Sequence, residues 1–129
     1  MGATEGFLTF LFVTVALLVF VVWSGLRARR KVHLTTVAIT VVTLATAIYY
    51  AEKLGELYDL DAAGAITPIH LTIAKATTLS YLVTVAFGFL TLRNPRLRRR
   101  HRAIAFFTLG LTLLAFVTGS WMILAAEKL

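Results

Sequence analysis

The chain contains no cysteine, which excludes disulfides, thiolate metal sites and covalent c-type heme attachment but leaves the compartment undefined. Carboxylates are scarce, six Asp and Glu in 129 residues. They form no paired acid–base site, no nucleophile is set beside a base, and no glycine-rich loop is built to cradle a phosphate. Hydrolase and transferase chemistry is therefore not expected, and the chain reads as non-enzymatic. Low-complexity segments and obvious tandem repeats are also missing. The leader MGATEG has Glu5 and no basic residue, and VVWSGLRARR offers no small-x-small cleavage site. The first apolar stretch therefore reads as a retained helix rather than a signal peptide.

What the chain does contain is apolar. Hydrophobic residues make up 59% and the mean hydropathy is +0.84, too much for the interior of a soluble domain of this length. A bilayer core needs about 20 consecutive apolar residues per helix, and four stretches qualify: 7–26, 33–51, 69–92 and 103–126. The expected fold is an all-α integral membrane four-helix bundle running up-down-up-down, with residues 1–129 forming a single transmembrane domain. The net charge is +7. Every arginine lies in RARRK (27–31) or RNPRLRRRHR (93–102), whereas the middle connection EKLGELYDLDAAGAIT is acidic. The positive-inside rule places the first and third connections in the cytoplasm and both termini outside, in a prokaryotic-type cytoplasmic membrane. The basic clusters read as topology signals and anionic-lipid contacts. They carry no interleaved aromatics, so nucleic acid is not an expected partner.

Within the apolar segments a second pattern runs. His33, Thr36, Thr40, Thr43, Ala47 and Tyr50 recur every three or four residues. So do His70, Ala74, Thr77, Tyr81 and Thr84, and again His101, Ala105, Thr108, Thr112, Ala115, Gly119 and Met122. Each set falls on one helix face and suits close helix packing in lipid. The threonine hydroxyls can bond their own backbone. Thr67 is expected to cap the third helix with Pro68 as its first residue, and EKLGELYDL to form a short surface helix.

The histidines invite a functional reading. His33 and His101 open the second and fourth segments on the cytoplasmic side and make a candidate heme b pair, as in membrane cytochromes. His70 opens the third segment on the outer side, roughly 25–30 Å away for a span of this length. Met122 comes to a similar depth, so His70 with Met122 is a candidate copper site, imidazole and thioether being soft ligands that suit Cu(I). Lys75 lies inside the third segment. It is expected to snorkel or to pair with Glu52 at the outer end of the second segment, near Tyr50.

The order RRKVHL, paired tyrosines, IHLTIAK, RRRHRAIA and VTGSWMIL resembles the domain-of-unknown-function 420 family of small membrane proteins. The likeness covers residues 27–126, with His33, Tyr49 or Tyr50, His70, His101-Arg102 and Thr118-Gly119 at family-like positions. It departs at YYAEKL, where the family tends to have a further histidine, and at FFTLGLTLL, where it tends to have proline and tryptophan. The resemblance implies a non-enzymatic accessory or assembly protein of a respiratory, heme–copper oxidase-type complex, with other membrane subunits as partners and heme or copper as candidate cargo. The alternatives are a small b-type cytochrome carrying electrons through His33 and His101, and a structural subunit or small transporter using the Lys75–Glu52 region.

Overall fold

The computed structural model describes residues 1–129. Four long helices dominate: α1 (Ala3–Leu26), α2 (Arg30–Gly55), α3 (Ile66–Arg93) and α4 (Arg98–Ala125), with two-residue strands β1 (Tyr58–Asp59) and β2 (Glu127–Lys128). All four are long and apolar enough to cross a membrane. The protein is thus an all-α chain with four candidate membrane spans. Within the chain, contacts group into two compact units, Met1–Tyr58 and Asp59–Leu129.

Each unit is an antiparallel helix hairpin. In the first, Gly6 near the start of α1 faces Tyr50 near the end of α2, and Gly25 faces His33. In the second, His70 near the start of α3 faces Gly119 on α4, and Gly88 faces His101. The stripes are the seams of these hairpins: none of their residues is exposed, while the helix faces away from the seams are mostly apolar, with Lys75 and a few threonines such as Thr35, Thr72 and Thr78 exposed among them. Small and hydroxylated residues line the seams because, in lipid, there is no hydrophobic drive to bring helices together and close backbone approach must supply the contact. The threonines satisfy themselves as expected. Thr36 donates to Val32 O at 2.7 Å, Thr40 to Thr36 O at 2.7 Å and Thr77 to Ile73 O at 2.8 Å.

The helix ends correct several expectations. Helices α2 and α4 begin at Arg30 and Arg98, so Arg30, Lys31 and Arg98 to Arg100 form first turns rather than free loops. Arginine and lysine are good helix formers, and helical hydrogen bonding need not stop where hydropathy falls. Likewise EKLG is the last turn of α2 rather than part of a separate surface helix, and DAA itself forms a 3-10 turn (Asp61–Ala63) closed by Gly64 at φ +76°. Helix α3 starts at Ile66 with Ala65 as its cap, so Thr67 is not the cap and Pro68 is the third helical residue. Proline is tolerated there because every N–H of a first turn lacks an intrahelical partner. Thr67 instead donates to Leu60 O at 2.5 Å, tying the 3-10 segment to the helix.

Candidate functional site

The three histidines share one local arrangement. His33 Nδ1 is 3.0 Å from Val21 O, and His101 Nδ1 is 3.1 Å from Thr84 O. Ala115 O is a backbone partner of the His70 ring. Each of these carbonyls belongs to the residue four positions before the glycine that the ring covers: Gly25, Gly88 and Gly119. A Cβ on those glycines would stand 3.1, 3.2 and 2.8 Å from the respective Cε1 atoms. The ring therefore lies in the groove that the missing side chain leaves, and its Nδ1 reaches the partner helix.

A hydroxyl immediately before the glycine completes two of the three docks. Ser24 Oγ is 3.2 Å from His33 Nδ1 and donates its own proton to Val21 O at 3.0 Å. Thr118 Oγ1 is 3.0 Å from His70 Nδ1 and donates to Leu114 O at 2.8 Å. With both hydroxyl protons on carbonyls, the oxygens accept from Nδ1–H. A carbonyl can only accept, so the network places a proton on Nδ1 of these rings. At His101 the residue before the glycine is Phe87, which brings no hydroxyl, and Nδ1 lies 3.1 Å from the Thr84 carbonyl.

Between its two docks the second hairpin is stitched by hydroxyls. Thr108, only 1% exposed, lies 2.5 Å from Ser80 Oγ and 2.8 Å from Thr84 Oγ1, and donates to Ile104 O at 2.9 Å. Tyr81 OH donates to Thr112 Oγ1 at 2.8 Å. In the first hairpin the interior hydroxyls of α2 bond their own helix, and Thr14 Oγ1 on α1 is buried without a hydrogen-bond partner. There Tyr50 covers Gly6 and stacks on Phe10, with ring centroids 5.7 Å apart.

The sequence-derived candidates distribute as follows. His33 and His101 occupy equivalent positions, each the fourth residue of the helix that follows a basic turn, one in each unit. His70 and Met122 belong to the same hairpin. Met122 is buried one turn beyond Gly119, in the α3–α4 seam where it packs as a core side chain. No group of three or more histidine and carboxylate side chains converges. Lys75 is exposed nine residues beyond Ile66, about 13 Å along the axis, and so is not part of the α3–α4 seam. Glu52 is exposed on the last turns of α2, in the first unit. The sequence places Gly119 on a stripe, but not the pairing of Gly25, Gly88 and Gly119 with histidine rings, although Ser24-Gly25 and Thr118-Gly119 are hydroxyl–glycine pairs inside helices and form the visible signal.

These features define a class: an α-helical membrane protein of two hairpins, each closed by imidazole or tyrosine rings set over glycines. Comparison with protein-family models, curated proteins and solved structures finds no match to the chain.

Proposed function

We propose that the chain is a non-enzymatic accessory or assembly protein of a respiratory, heme–copper oxidase-type complex, working by docking its helices against other membrane subunits. The observation that carries this reading is where the polar groups go. The histidines, the stripe threonines, Ser24, Ser80 and Tyr81 bond within each hairpin, so the surface left for partners is mostly apolar and aromatic, with Phe12, Phe89, Phe107, Phe116 and Trp121 exposed and Lys75 its one charged side chain within the four apolar stretches. Such a surface suits lipid and other membrane helices. The respiratory assignment rests on the resemblance of RRKVHL, IHLTIAK, RRRHRAIA and VTGSWMIL to the family named above. Cytoplasmic basic turns and outer termini, in a prokaryotic-type cytoplasmic membrane, complete the proposal. They are supported by the arginines gathered at one end of each hairpin and the carboxylates at the other.

Affinity purification of the tagged chain in mild detergent from respiring cells tests it. Oxidase subunits should co-purify, and should do so from cells in which heme synthesis is blocked as well. Recovery of the chain without any respiratory subunit would overturn the reading.

One observation favours a second reading, handling of heme or copper. A neutral ring whose Nδ1–H is given to a carbonyl carries its lone pair on Nε2, the form in which histidine binds metals. On that reading each imidazole would offer Nε2 to heme or copper, with Met122 on the same hairpin as His70.

A further inference from the structure

The α3–α4 turn is a concentration of guanidinium with no counter-charge of its own. Arg93, Arg96, Arg98, Arg99, Arg100 and Arg102 are all exposed, and no lysine or carboxylate lies among them. The acids of this hairpin are Asp59, Asp61 and Glu127. They lie at its other end, about 40 Å away along the 28 residues of α4. Asn94 fixes the turn by accepting from Arg96 N at 3.2 Å, with Pro95 opening a 3-10 segment. Helix α4 then starts without a side-chain cap and with no acid in its first turn. Four of the arginines thus sit at the positive end of a helix dipole, where cations are disfavoured and an anion is favoured.

What lies next to this cluster indicates which anion. Phe106 and Phe107 are exposed one turn beyond Arg102, and Phe89 and Leu90 are exposed one turn before Arg93. The guanidinium groups therefore rim an apolar surface, at the level where headgroup phosphates lie when that surface is in a bilayer. Arginine is also the residue suited to phosphate, since its planar fork binds two oxygens at once where lysine offers a point charge. The other basic turn is smaller, with three arginines, of which Arg29 is stacked over Trp23, 5.5 Å from the ring centroid.

We infer that the α3–α4 turn is a phosphate-recognition site for anionic phospholipid, with Arg98, Arg99, Arg100 and Arg102 holding the headgroups. This claim is independent of the respiratory proposal, because it is read on the purified protein without any partner. Native mass spectrometry of the detergent-purified chain, titrated with phosphatidylglycerol or phosphatidylcholine, tests it. Wild-type protein should hold phosphatidylglycerol about tenfold more tightly, and the R98K/R99K/R100K/R102K variant should lose most of that preference while keeping its charge. The R27K/R30K variant should keep the preference, and inorganic phosphate should not displace the lipid. Equal retention of the two lipids by wild-type protein, or an unchanged preference in the four-lysine variant, would overturn the site. Displacement by inorganic phosphate would overturn the lipid as its occupant.

Discussion

Alanine at Gly119 should destabilise the α3–α4 hairpin by about 1–3 kcal/mol, the range for forcing an extra methyl into a packed interior. Its Cβ would stand 2.8 Å from His70 Cε1 and 3.3 Å from both ring nitrogens. The ring cannot retreat without leaving Thr118 and the Ala115 carbonyl. Gly6→Ala should cost a similar amount in the first hairpin. There the new Cβ would lie 2.7 Å from Tyr50 Cγ, the root of the ring, so rotation about χ2 cannot clear the clash. Moving Tyr50 as a whole would break its stack on Phe10. Gly110→Ala is the control, because nothing lies within 4 Å of that Cβ and alanine is a better helix former than glycine by roughly 0.8–1.0 kcal/mol. It should be neutral or stabilising. Equilibrium unfolding in mixed micelles ranks the three, and a Gly119→Ala protein as stable as wild type would show that the imidazole does not depend on the glycine.

The second large effect is expected at Thr108. Valine there keeps the shape but removes a hydroxyl that meets Ser80, Thr84 and the Ile104 carbonyl at once. Polar contacts between membrane helices average about 0.6 kcal/mol and reach about 1.7, and a hub with three partners belongs near the upper value. Thr14→Val should behave in the opposite way. That hydroxyl is 3% exposed and unpartnered, so replacing it removes an unsatisfied group and should be neutral or stabilising. The same unfolding assay decides. Equal losses at both positions would mean that the hydroxyl network adds nothing beyond packing.

Much of this architecture is legible in the sequence because lipid simplifies the problem. Helices are the only way to satisfy a backbone in a bilayer without closing a barrel, so four apolar stretches translate directly into α1 to α4. The three stripes are equally legible, since threonine and alanine every three or four residues mark the faces that approach one another, and those faces are the buried seams. Helix ends are harder to read. Hydropathy reports where lipid stops, whereas Arg30 to Val32 and Arg98 to Arg100 remain helical beyond it. The histidine docks are the least legible feature. His70 meets Thr118 across 48 positions of sequence and His33 meets Ser24 across nine. Only the hairpin pairing brings these segments together, and spacing alone cannot give that register. For the same reason the correspondence between the two hairpins, a glycine on one helix facing a histidine at the fourth position of the next, does not appear as a sequence repeat.

The docks bear directly on function. An imidazole at the edge of a membrane helix reads as a ligand when its surroundings are unknown. Once each ring is seen covering a glycine, with Nδ1 bonded to the neighbouring helix, a mechanical role accounts for the same residue. The rings act as interhelical latches, and most of the surface facing away from them is apolar.

The absorption spectrum and metal content of the chain, purified in detergent from heme- and copper-replete cells, test the latch assignment most directly. The account predicts a colourless protein without stoichiometric copper, in which His33→Ala, His70→Ala and His101→Ala each lower stability. A low-spin b-type spectrum lost on His33→Ala or His101→Ala but retained on His70→Ala would contradict it, as would bound copper lost on His70→Ala or Met122→Ala.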